Sequence, residues 1–141
     1  MTPSATPAAA AFARRVDALD EAIDARADAA RRLAIGQRAL DTLTESLRAW
    51  DALALTSPDA QSARQYAHVY RETVAAAVGT LAAAHDAAWT EWALARDQAL
   101  STSLSLWTEA CQAARDDPRT GSLEAALALM SQLATLLKED A

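Results

Sequence analysis

The chain has 141 residues and a formal charge of −6, with twelve arginines and one lysine interleaved among nineteen acidic residues. The bases gather into no patch, which excludes an electrostatic nucleic-acid footprint, and no stretch approaches the roughly 20 apolar residues of a membrane-spanning helix. One cysteine, Cys111, rules out an intrachain disulfide and suits a reducing cytoplasm.

Residues 1–7, with two prolines, read as a flexible tail preceding a single helical domain over 8–141. The N-terminal stretch has no charged n-region and is not a secretory signal. The first predicted helix runs from about 8 to 55. Phe12, Val16, Leu19, Ile23, Arg26, Ala30 and Leu33 follow a 4-3-4-3 spacing. After a three-residue step to Gly36 the pattern resumes at Leu40, Leu43, Leu47, Trp50 and Ala54. Two such seams describe a long amphipathic helix with a slip near Gly36. Asp28 is spaced to pair with Arg31 and Arg32, and Glu45 with Arg48.

"LTSPDAQ" (55–61) combines a capping serine, Ser57, with Pro58 at the first helical position and Asp59 at the positive end of the helix dipole. A second helix is predicted over about 58–115. "DDPRTGS" (116–122) repeats the loop chemistry, and a third helix over 122–139 carries Leu123, Leu127, Met130, Ala134 and Leu137 at helical spacing. The expected fold is all-α: an elongated antiparallel helical hairpin, coiled-coil-like, of two long helices plus a short third one, completed by self-association into a homo-oligomer. At about 1.5 Å per residue the long helices need an apolar stripe covered along most of their length.

The second helix carries three of the four tryptophans. On a helical wheel Trp89, Leu100, Leu104 and Trp107 fall within about 60° of one another, Trp92 stands beside them, and residues 98–108 carry no charge. His85, Leu81, Val78 and Val74 continue this side backwards, while Glu91, Gln98, Thr102, Ser105 and Glu109 lie opposite. Two readings of the tryptophan side stand. It packs on the first helix and a neighbouring subunit, or part of it stays exposed and adsorbs to a hydrophobic surface, a boundary that suits the apolar ring and polar N–H of tryptophan. Without a Lys/Arg-rich polar face it fits an uncharged hydrophobic body better than an anionic bilayer.

Catalytic chemistry is not written in the chain. Glycines at 36, 79 and 121 alone form no phosphate-cradling loop, and no nucleophile-elbow pattern occurs. His68 and His85 are turned about 100° apart on one helix, too far to share a metal. Cys111 reads as a small packed hydrophobe. No catalytic, cofactor-binding or metal-binding residue is therefore assigned, and the reading is of a non-enzymatic protein.

"RRLAIGQRALDTLTESLRAW" followed by "SPDAQSARQYAHVYRETVAAAV" resembles the phasins, bacterial helical proteins that coat polyhydroxyalkanoate storage granules. The likeness covers roughly residues 12–110 and lies in an alanine-rich amphipathic helix, a proline break, and a helix bearing Gln61, Gln65, Tyr66 and Tyr70. The chain is poorer in Lys and richer in Trp than that pattern, and its third helix follows a second Asp-Pro break. The resemblance implies a cytoplasmic protein at the granule surface, adsorption to hydrophobic polyester, self-association, and contact with a polymer synthase or depolymerase. The surface residues expected to carry it are Trp89, Trp92, Leu100, Leu104 and Trp107, with Leu40, Leu43, Leu47 and Trp50 on the first helix. The alternative expectation is a cytoplasmic coiled-coil adaptor whose apolar face is buried in a protein partner or in its own oligomer.

Overall fold

The computed structural model describes residues 6–140, and among these the chain is all-α. Its three helices are α1 (Pro7–Asp51), α2 (Pro58–Asp116) and α3 (Ser122–Glu139). The expected tail at 1–7 lies outside the described residues except for Thr6 and Pro7, which begin α1. Thr6 is its cap: the Ala9 N–H donates to Thr6 Oγ1 at 3.1 Å, and Pro7 takes the first helical position, where a missing N–H costs nothing. The helix ends at Asp51, four residues short of the sequence expectation, where a turn takes over through a Leu53 N–H bond to the Trp50 carbonyl.

Ser57 caps α2 as its sequence context suggests, with the Ala60 N–H 3.4 Å from Ser57 Oγ. The Gln61 side chain reaches back to the Leu55 carbonyl and closes the loop. The second break differs from expectation in its mechanism. Asp117 caps no helix; its carboxylate accepts the Arg119 N–H at 3.0 Å, an Asx-type turn. The residue flanking α3 is Gly121 at φ 68°, a left-handed conformation that other residues adopt only under strain.

The described residues form two compact units, one of residues 6–25 with 89–140 and one of Arg26–Ala88. The first is a three-helix unit. Phe12, Val16 and Leu19 of α1 meet Ala95, Ala99, Leu106 and Ala110 of α2 and Ala126 and Leu133 of α3. Phe12 and Leu19 are fully enclosed. The Arg15 guanidinium donates to Gln98 Oε1 at 2.8 Å along the edge of this core.

The α3 face is turned from the expected one. Ala126 and Leu133 are buried, Leu123, Met130 and Leu137 only partly so, while Leu127 is exposed and Ala134 lies outside the core. Leucines nearly encircle this helix, so their spacing alone does not select a side. The side chosen presents the small Ala126 and lets α3 approach closely.

The second unit is a two-helix hairpin. Its antiparallel pairing is marked by Gly36 against Val78 and Leu81, by Thr44 against Arg71 and by Asp51 against His68. Gly36 is not a break: α1 passes through it unbroken, as α2 does through Gly79. A Cβ on Gly36 would come within 2.9 Å of Leu81 Cδ1 and 3.3 Å of Val78 Cγ2, so this glycine lets the α2 side chains lie against the α1 backbone. Leu47 and Val78 are the buried side chains of this unit. Among the described residues, no helix is long and apolar enough to cross a membrane.

Candidate functional site

The position of the tryptophan side follows from how α2 meets its neighbours in the three-helix unit. The buried line on α2 runs through Ala95, Ala99, Ser103, Leu106 and Ala110, with Trp92 half-buried at its start. By helical arithmetic this line is turned about 90° from the Trp89–Leu100–Trp107 line. Two neighbouring helices leave little depth on α2, and alanine and serine fill it at close range. The Ser103 hydroxyl is satisfied within its own helix by donating to the Leu100 carbonyl.

The large apolar residues are consequently left outside. Leu104 is 69% exposed, Trp89 46%, Leu100 42% and Trp107 38%. The expectation that this side packs on α1 does not hold for these four residues, whose place against α1 is taken by the alanine line. Cys111 continues the same line one turn beyond Trp107, half-buried and unbridged.

Trp92 joins the two lines. It packs on the core, meets Trp89 edge to face with ring centroids 5.4 Å apart and planes at 74°, and lies under the Arg96 guanidinium at 4.7 Å. Edge-to-face rings and a stacked guanidinium each suit the aromatic quadrupole. Arg96, the one charge on this stripe, therefore lies along a ring with its head also turned to Asp97 at 3.3 Å. The Trp89 end of the stripe is braced by these contacts, and the Leu100–Trp107 end carries no charged side chain.

The four α1 residues named with this stripe belong to the hairpin unit and have different fates. Leu47 is 4% exposed and serves as the floor of the α1–α2 seam, so it is withdrawn from any surface role. Leu40 and Leu43 are half-buried along that seam, while Trp50 is exposed near the loop, as is Leu53. The hairpin also exposes Tyr66, Val69 and Tyr70, three neighbours on one face of α2 that the helical-wheel reading of the tryptophan stretch did not reach. Their i, i+3, i+4 spacing was the available signal.

The remaining side-chain chemistry lies at the hairpin seam. His68 Nε2 is 2.9 Å from Asp51 Oδ1, Arg64 Nε lies 4.0 Å from the same oxygen, and Arg71 Nε donates to Thr44 Oγ1 at 2.9 Å. Asp28 pairs with both Arg31 and Arg32, but the expected Glu45–Arg48 pair is not formed; Arg48 lines the seam instead. No group of three or more His, Cys, Asp or Glu side chains is placed to hold a metal among the described residues. No protein-family model matches this chain, and neither a curated protein nor a solved structure does, so its function is read from these surfaces.

Proposed function

We propose that the protein is a phasin-like, non-enzymatic coat protein that adsorbs to polyhydroxyalkanoate granules in the bacterial cytoplasm through the exposed stripe of α2. The observation that carries this reading is the uncharged run 98–108, whose Leu100, Leu104 and Trp107 stand exposed on a unit whose core is filled without them. A contiguous apolar stripe on a finished core is a surface awaiting a partner. Each large side chain withdrawn from water contributes up to about 1.5–3 kcal/mol when covered completely. Several acting together hold an amphipathic helix on a polyester surface, and the Asp, Glu and Arg side chains elsewhere keep the coated particle dispersed. Self-association and contact with a polymer synthase or depolymerase belong to this reading as further uses of apolar helix faces.

Co-sedimentation with washed granules tests it. The wild-type chain should pellet with granules at low and high salt alike, with a change in tryptophan emission. Leu104→Glu with Trp107→Glu should stay in the supernatant while remaining helical. Both residues are exposed, and glutamate is a helix former close to leucine, so the substitution addresses binding rather than folding. Trp92 is unsuited to this test because it packs on the core.

The second reading, a coiled-coil adaptor, is favoured by one feature. Trp89, Ala93, Arg96, Leu100, Leu104, Trp107 and Cys111 follow the 4-3 spacing of a helix seam, interrupted by one extra 4. A partner helix, including one from a second copy, would cover this line. Granules that fail to bind, together with blue-shifted tryptophan emission from the free oligomer, would select that reading.

A further inference from the structure

We propose that the α1–α2 seam of the hairpin unit binds a small oxyanion, a phosphate or carboxylate group, between Arg48 and Arg71. The cleft there has a volume of about 320 Å³ and is lined by Thr44, Leu47, Arg48, Asp51, His68 and Arg71. It is built by two matching rows. Thr44, Arg48 and Asp51 stand at i, i+4 and i+7 on α1, and Arg64, His68 and Arg71 at the same intervals on α2. Such rows share one helix face, so antiparallel pairing brings them to a common seam.

The charge balance of this seam runs against that of the chain. The cleft lining holds two guanidinium groups, Arg48 and Arg71, and an imidazole, His68, against one carboxylate, Asp51, in a protein whose formal charge is −6. That carboxylate is already engaged, with His68 Nε2 at 2.9 Å and Arg64 Nε at 4.0 Å from Asp51 Oδ1. Among the described residues neither Arg48 nor Arg71 forms an ion pair, although Glu45 precedes Arg48 by three residues and Glu72 follows Arg71. Two guanidiniums without an ion pair among the described residues, at one cleft of an acidic chain, are the groups an anion would satisfy.

Arg71 is also held in position. Its Nε donates to Thr44 Oγ1, and that hydroxyl donates in turn to the Leu40 carbonyl at 2.8 Å, so both hydrogen-bonding roles of Thr44 are fixed. Tethering at Nε leaves the terminal amino groups of the fork for a ligand, and a guanidinium fork matches an oxyanion in a planar, two-point fashion. Arg48 meets the ligand from the opposite helix. The site does not rest on the granule reading, since none of its residues lies on the exposed stripe.

The test is a nuclear magnetic resonance titration of the full chain with inorganic phosphate, with butyrate and with chloride, at matched ionic strength. Saturable shifts of the Arg71 Nε–Hε resonance and of amides around 44–51 and 64–71 are expected with phosphate, butyrate or both. Saturation by one alone identifies which oxyanion the site takes. Arg71→Gln and Arg48→Gln should each weaken the binding by about fivefold or more, and Arg32→Gln, whose parent side chain is paired with Asp28, should leave it unchanged. Arg48 is exposed and, among the described residues, makes no hydrogen bond or ion pair between the helices, so its variant keeps the test open if loss of the Arg71–Thr44 bond loosens the pair. Shifts that chloride reproduces, or affinity retained in both seam variants, would overturn the proposal.

Discussion

The two units of this chain solve the same problem with different means. In the three-helix unit, Phe12 and Leu19 are wholly enclosed and most facing positions are alanines, with Leu106 and Leu133 among them, so three helices share one core. In the hairpin, two helices cover one another on one side only. Leu47 and Val78 are buried, and the pairing is completed by the Gly36 approach and by hydrogen bonds from Arg71 and His68. The difference shows what a third helix contributes: it encloses side chains that a pair of helices can only shade. Apolar residues left over are displayed in both units, Leu100, Leu104 and Trp107 in one and Tyr66, Val69 and Tyr70 in the other.

The largest expected effect breaks the richer core. Phe12→Ala should cost about 3–5 kcal/mol, because it removes an enclosed aromatic ring with neighbours on two helices. Leu47→Ala should cost less, about 2–3 kcal/mol, near the low end for a buried leucine, since fewer groups surround the space it vacates. Denaturant unfolding of both variants checks the ranking, and equal costs would mean that the hairpin is as well enclosed as the three-helix unit. Hydrogen exchange sharpens the contrast within a single helix. Amides of residues 74–81 should exchange about tenfold faster than those of 95–106, a gap of roughly 1.4 kcal/mol in local opening.

How far these features could be read from the sequence depended on the range of the interaction. The break at Ser57-Pro58 was legible because capping and proline chemistry act within a turn, that at Asp117-Pro118 because its turn-forming residues do, and Phe12, Val16 and Leu19 because large side chains at 4-3 spacing mark a core. Of the two readings of the tryptophan side, the one that packs it on α1 gave too much weight to large residues on the wheel. Close packing of three helices instead selected Ala95, Ala99, Ser103 and Ala110, which carry little signal of their own. On α3 the leucines nearly encircle the helix, so their spacing did not show that Ala126 and Leu133 would be the buried pair. Arg48 was assigned to Glu45 by spacing on one helix, whereas its place in the seam depends on α2, which a single-helix rule does not contain.

The glycines separate the close approach from plain helix propensity. Among the described residues, nothing beyond its chain neighbours and its own helix backbone lies within 4 Å of a Cβ built on Gly79, so Gly79→Ala should stabilise the protein by about 1 kcal/mol through helix propensity alone. Gly36→Ala receives the same propensity gain but must displace Leu81 Cδ1 and press on the stiff Val78 side chain. It should therefore gain nothing, or lose stability. Melting temperatures of the two variants compare them directly, and an equal gain from both would remove the close approach as a feature of the hairpin.

The smallest expected change in stability concerns the exposed stripe, and its smallness is what makes it informative. Leu104→Glu with Trp107→Glu removes two side chains that the three-helix core does not use, so unfolding of the free monomer should move by less than about 1 kcal/mol. Were the stripe covered by a second copy in solution, the same pair would bring two charges into an apolar seam, and the oligomer would dissociate or lose several kcal/mol. Stability followed against protein concentration distinguishes the cases, because only an oligomer has a midpoint that rises with concentration. A concentration-independent midpoint, unchanged by the substitutions, leaves the stripe as open surface in the free protein. Alkylation of Cys111, one turn beyond Trp107, then provides a final readout: granules that cover the stripe should slow it, and granules that bind elsewhere should not.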